Sequence, residues 1–213
     1  MKSHIKSSIA AAVFLLSAMN SFAVWQAKAC PDGRAVAVIP DGSVFCGTDG
    51  RTVSVPKGWN KTQGPDGRIV AVPPQGTAVA GKNGRMVAVP KDWSYAEGFD
   101  GHIAAVPPGG TAIEGTDHRM VAIPEGWEKT EGKDGRIAAI PPGGRVLTGP
   151  DGRAVAKPKG WVVIIGNDNR AVAIPPDGEY FMGYDQRAVA LPPDNFDVTD
   201  YITLYCILGV QAE

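Results

Sequence analysis

The stretch KDGRIAAIPPGG, Lys133 to Gly144, decides the fold, because the chain repeats it with small changes along most of its length. It returns as TDGRTVSVPKGW from Thr48, PDGRIVAVPPQG from Pro65, FDGHIAAVPPGG from Phe99 and PDGRAVAKPKGW from Pro150. Set in register, these phrases divide the chain into ten units of equal length, starting at Pro31, Thr48, Pro65, Lys82, Phe99, Thr116, Lys133, Pro150, Asn167 and Tyr184. Each unit is seventeen positions long, and no insertion or deletion interrupts the series.

Each unit opens with a turn, its second residue Asp or Asn, usually followed by Gly and then Arg, with His102 once in place of Arg. Asp-Gly and Asn-Gly mark tight hairpin turns, where the backbone needs positive φ and glycine accepts it without steric cost. A short apolar strand follows, then a proline-rich break, then a second strand closed by Gly. Proline cannot donate into a β-ladder, so PP, PK and PE belong at strand ends. The expectation is an all-β chain of about twenty short antiparallel strands in hairpin repeats, essentially without helix.

The first strand of every unit carries a small residue at one position: Ala37, Ser54, Ala71, Ala88, Ala105, Ala122, Ala139, Ala156, Ala173 and Ala190. Its neighbours are mostly Val, Ile or Leu, with Lys157 an exception. A strand small on one face and branched on the other, with little polar alternation, is covered on both faces.

Odd and even units differ, so the full period is a double unit. Odd units usually run through PPxG, whereas even units before the last run through P-x-(G/D)-W. Trp25, Trp59, Trp93, Trp127 and Trp161 each lie one double unit, thirty-four positions, from the next, and the following position in the series is Asn195. Residues 25 and 195 are five double units apart, so they would compete for one place in a five-membered ring. A five-bladed β-propeller, its N-terminal strand completing the last blade, accounts for both ends and removes open sheet edges. A β-solenoid or roll, and an open meander with atypical capping ends, are the alternatives.

The first 23 residues read as a secretory signal peptide. Lys2 and Lys6 precede the apolar run IAAAVFLLSAM, and Ser21-Phe22-Ala23 has the small-x-small cleavage pattern. The run is shorter than the roughly 20 residues of a spanning helix, and no transmembrane segment is expected. The repeat domain then covers 24–200, and 201–213 is a C-terminal strand or tail. Cleavage moves the net charge from −1 to −3, since 21 basic residues become 19 against 22 acids. The expected location is exported, whether periplasmic, cell-surface or extracellular.

Three cysteines, Cys30, Cys46 and Cys206, are too few for a disulfide scaffold, but export allows one bridge. Cys30 to Cys206 would lock the chain ends. No zinc or histidine motif is present, and one Asp per turn lacks the dense oxygen ligands that calcium takes. No metal or cofactor is therefore expected. Arginines come one per repeat beside an Asp or Asn, without a basic run, which argues against nucleic acid.

No nucleophile elbow, phosphate loop or other catalytic constellation interrupts the symmetry, so the chain reads as a non-enzyme. The tryptophans are the candidate ligand-binding residues. A flat apolar ring with one N–H, set beside polar residues as in WNKTQ, WSYAE and WEKTE, suits stacking on a sugar or peptide. The expectation is a lectin-like, multivalent carbohydrate-binding protein with a glycan or other cell-surface partner. The alternative is a structural or self-assembling surface protein whose tryptophans pack between repeats. Nothing in the sequence sets the oligomeric state.

Overall fold

A computed structural model describes residues 25–193. It consists of ten antiparallel hairpins of four-residue strands. The first five are β1–β2 (Gln26–Ala29, Ala35–Val38), β3–β4 (Ser43–Cys46, Thr52–Val55), β5–β6 (Asn60–Gln63, Ile69–Val72), β7–β8 (Thr77–Ala80, Met86–Val89) and β9–β10 (Ser94–Glu97, Ile103–Val106). The rest are β11–β12 (Thr111–Glu114, Met120–Ile123), β13–β14 (Glu128–Glu131, Ile137–Ile140), β15–β16 (Arg145–Thr148, Ala154–Lys157), β17–β18 (Val162–Ile165, Ala171–Ile174) and β19–β20 (Glu179–Met182, Ala188–Leu191). There is no helix among the described residues.

Two turns alternate along the chain. Within a hairpin, as at Cys30–Arg34, the Gly33 N–H donates to the Cys30 carbonyl at 3.0 Å and the Cys30 N–H to the Arg34 carbonyl at 2.6 Å. Gly33 has φ +86°. This is the three-residue hairpin loop, a turn followed by a left-handed residue, rather than a two-residue Asn-Gly turn. His118, Asn169 and Gln186 take the glycine's place in three units and also have positive φ. Between hairpins, as at Pro56–Trp59, the fourth N–H donates to the first carbonyl and the third residue, Gly58, has φ +81°, the signature of a type II turn.

Even strands are the buried ones and odd strands the outer ones. The core is built from Ala37, Val55, Val72, Ala88, Val89, Ala105, Val106, Ala122, Ile123, Ala139, Ile140, Ala156 and Ile174. Each even strand packs on the even strands of the hairpins before and after it. Small alanines permit that approach, and so do the glycines that close the odd strands. A Cβ on Gly81 would lie 2.1 Å from the Gly101 carbonyl oxygen, and one on Gly47 2.3 Å from that of Gly67.

The succession of neighbours returns to its start, because β20 lies against β2. The Asp185 N–H donates to the Gly33 carbonyl at 3.0 Å, the same bond that joins Asp66 to Gly84 and Asp117 to Gly135 at 3.3 Å. This circuit is made by packing and turn-to-turn bonds, since every sheet among the described residues has two strands. The N-terminal strand departs from expectation: β1 pairs with β2, Gln26 opposite Val38 and Ala29 opposite Ala35, and adds to no other described strand. The Cys30 turn has the geometry of every other hairpin turn, so β1 closes on its own sequence neighbour. The first and last hairpins meet through side chains instead, where Trp25 packs with Ala37 and Ile39 against Val189 and Leu191.

One pair of exceptions to the repeat is explained by a hydrogen bond. Nine units have proline at the end of the first strand, at 56, 73, 90, 107, 124, 141, 158, 175 and 192, while the first has Ile39. Only Ile39 therefore brings an N–H to that place. Its N–H donates to the Ser54 hydroxyl at 2.9 Å, and Ser54 is the single unit's departure from alanine. Both residues are buried, so the donor would otherwise lack a partner.

Among the described residues no helix is long and apolar enough to cross a membrane. They contain no disulfide; Cys30 is a buried thiol and Cys46 an exposed one. Cys206, and with it the expected Cys30–Cys206 bridge, lies outside the described residues, as do the proposed signal peptide and C-terminal tail.

Candidate functional site

Two sets of repeated side chains occupy opposite ends of the hairpins. At the connecting end, the turn Pro-x-(Gly/Asp)-Trp fixes each tryptophan. The N–H of Trp59 donates to Pro56 at 3.1 Å, that of Trp93 to Pro90 at 3.2 Å, that of Trp127 to Pro124 at 3.1 Å and that of Trp161 to Pro158 at 3.2 Å. All four are half-buried, and each is followed by an exposed residue: Asn60, Ser94, Glu128 and Val162. Trp25 differs, being 5% exposed and held in the seam between the first and last hairpins. Alternate connections carry glycine where these carry tryptophan, and a Cβ on Gly76 would lie 2.9 Å from the Val89 carbonyl oxygen. One large aromatic ring per pair of hairpins follows.

At the other end, the ten hairpin turns gather the Asp-x-Arg pairs. In every unit the first Asp or Asn accepts the backbone N–H two residues on, at 2.9–3.3 Å. The aspartate's other oxygen faces the Nε of the arginine in its own turn, at 3.3–3.6 Å in eight units. It also reaches the arginine of the next hairpin, as from Asp49 to Arg68 and from Asp117 to Arg136, both 3.6 Å. Opposite charges thus alternate from hairpin to hairpin in a half-buried collar.

The collar breaks register in two adjacent units, where Asn83 replaces Asp and His102 replaces Arg. His102 Nδ1 bonds Asp100 Oδ2, and Arg85 Nη1 lies 2.5 Å from His102 Nε2. With the aspartate accepting from Nδ1–H, the Nε2 lone pair is left to accept from Arg85. That arrangement needs a neutral imidazole, and burial, followed by the Arg85 charge, holds the His102 pKa below its ordinary value. Burial, with Arg68 and Arg119 nearby, pulls Arg85 down to about 10, so it stays charged at neutral pH.

These turns line a cavity of about 500 Å³. Arg51, Arg68, Arg85 and Arg119 contribute to its wall, together with Asp49, Asp66, Asn83 and His102. Arginines far apart in sequence therefore come together, which the spacing along the chain conceals: one Arg per repeat is no basic run, yet the stacking places them at one end. Among the described residues no three metal-ligating side chains cluster. Glu131, on the exposed strand β13, accepts the Thr116 N–H at 3.1 Å and its hydroxyl at 2.5 Å. Those bonds lower its pKa. No protein-family model, curated protein or solved structure matches this chain.

Proposed function

We propose that this is an exported, non-enzymatic binding protein that holds carbohydrate through tryptophans repeated along one end of its hairpins. The observation that carries the reading is the common setting of Trp59, Trp93, Trp127 and Trp161. Each is half-buried, fixed by the same turn and set one double unit from the next. An indole held in this way offers an apolar face and one donor without first losing conformational freedom. Trp25, buried between the first and last hairpins, serves packing in this reading. We further take the ten hairpins as five double units, a propeller-like ring with one place for tryptophan in each. Several equivalent weak sites on one body would raise avidity by roughly 10² to 10⁴ over a single site.

The test is binding of the purified mature protein to a broad glycan array, followed by Trp93→Ala. Saturable binding to related sugars, weakened by the substitution at unchanged melting temperature, supports the reading. Silence from a folded monomer, or a large loss of stability in the variant, overturns it. A second reading, self-assembly, rests on Val162, Ile165, Tyr180, Phe181 and Tyr184, all exposed on the last two hairpins. Concentration-dependent mass by light scattering would favour it.

A further inference from the structure

Neighbouring hairpins face each other along their outer strands by a fixed rule. The fourth residue of an outer strand reaches back to the hairpin before it: Glu97, Glu114 and Glu131 accept the backbone N–H of Lys82, Phe99 and Thr116 at 2.7, 2.6 and 3.1 Å. Side chains alternate along a strand, so the second residue faces the same way, and the first and third face the hairpin that follows. Lys61, second in β5, accordingly lies over the ring of Phe45, third in β3, at 3.9 Å. Each groove between outer strands is therefore lined by two residues from either side.

Among the described residues, only the groove between β17 and β19 is apolar at all four positions: Val162 and Ile164 from β17, Tyr180 and Met182 from β19. The nine other outer strands begin on a polar residue, from Gln26 to Glu179, so every other groove has at least one polar position in its wall. The two hairpins are neighbours, since β18 packs on β20, and Val162 and Tyr180 are 56% and 54% exposed. An open apolar groove that breaks an otherwise polar rim marks a docking surface.

The chain itself supplies an occupant. It leaves β20 at Leu191, which pairs with Glu179, the residue before Tyr180. The repeat offers it no further place in the circuit: residues 196–199 fall 170 positions, five double units, after Gln26–Ala29, and the place beside β2 is held by β1. Residues 201–210, YITLYCILGV, follow, with eight apolar residues in ten and no charge. The connecting residues 194–200 reach up to about 23 Å when extended, several times the spacing of about 4.8 Å between paired strands. We propose that residues 201–210 dock in the groove between β17 and β19 and cover Val162, Ile164, Tyr180 and Met182. A groove filled in this way is closed to a second copy of the chain, and the docking does not depend on the glycan reading.

Cys206 lies within this segment and reports on it. The purified mature protein, kept reduced, is alkylated with iodoacetamide and read by peptide mass, with its mass in solution followed by light scattering at two concentrations. In a monomer, Cys206 should react at least about tenfold more slowly than the exposed Cys46. The decisive variant joins Val162→Glu and Tyr180→Lys, which installs the residues β13 carries at the same two positions, Glu128 and Lys129, so the fold is retained. It should bring Cys206 to within about twofold of Cys46, as expected for a released segment. Tyr95→Lys, the same change at the exposed second position of β9, should leave Cys206 protected. Three results would overturn the proposal. Cys206 as reactive as Cys46 in the unaltered protein would show an open groove. Protection that the double variant leaves intact would place the segment elsewhere. Protection lost on dilution, together with a fall in mass, would give the groove to a second copy.

Discussion

Replacing Ser54 by alanine removes one oxygen atom, yet its cost depends on a residue fifteen positions earlier. The Ile39 N–H donates to the Ser54 hydroxyl at 2.9 Å, and the two residues are only 6% and 8% exposed. In Ser54→Ala the donor stays buried without that acceptor, for which a loss of about 2 kcal/mol is expected. The methyl group itself fits, because nine other units have alanine there. Ile39→Pro removes the donor and restores the residue of the other units, at the expense of some packing against Trp25. In that background Ser54→Ala should cost less than about 0.5 kcal/mol, a coupling of about 1.5 kcal/mol between the two sites. Urea unfolding followed by circular dichroism gives all four stabilities of the cycle. Equal costs of Ser54→Ala in both backgrounds would refute the account of why these two exceptions occur together.

Gly81→Ala should destabilise by about 3 kcal/mol, since its Cβ meets the Gly101 backbone oxygen at 2.1 Å and only separation of two hairpins relieves the overlap. Gly58→Ala, with φ +81° and open space around it, should cost only the left-handed penalty of about 1 to 2 kcal/mol, so equal losses in urea titrations would count against close hairpin approach. His102 has a folded pKa below its ordinary 6.5, from burial first and Arg85 second. The unfolded chain therefore binds the proton more readily than the folded one. Stability should fall as pH drops below about 6.5, and His102→Gln should flatten this part of the pH dependence of the melting temperature; an unchanged slope would contradict the neutral imidazole. Cys46 is exposed, whereas Cys30 is buried with its thiol pKa raised by that burial. Labelling of the native protein read by peptide mass should modify Cys46 at least about tenfold faster, and similar rates would contradict the packing of the first turn.

Much of the fold is legible because the turn signals are local. Asp-Gly with Arg after it, and proline at the strand end, each restrict φ within a few residues, and both mark the observed turns. The alternation of tryptophan and glycine is also visible, since it follows from what each connecting turn can hold. What Trp25 does is not local: its burial depends on Val189 and Leu191, more than 160 positions away. The pairing of β1 escapes the sequence for a related reason, because a count of five double units constrains where the chain ends lie without specifying which strand bonds which. The arginine-lined cavity is invisible as long as charge is treated as a property of sequence runs. Arg51, Arg68, Arg85 and Arg119 meet only because hairpins stack turn upon turn, and Asn83, in the place where the other units carry aspartate, gains meaning only beside His102 in the next layer.

The packing of β20 on β2 changes how the molecule can come apart. In a linear array of ten units there are nine junctions, and a terminal unit detaches by breaking one of them, so such arrays fray from their ends. Here the tenth hairpin meets the first through the same turn-to-turn bond that joins other neighbours. Every hairpin, including the first and last, is therefore held on two sides, and the first to leave must break two junctions at once. Unfolding has no easy starting point, which turns a chain of small, weakly cored pieces into one cooperative body.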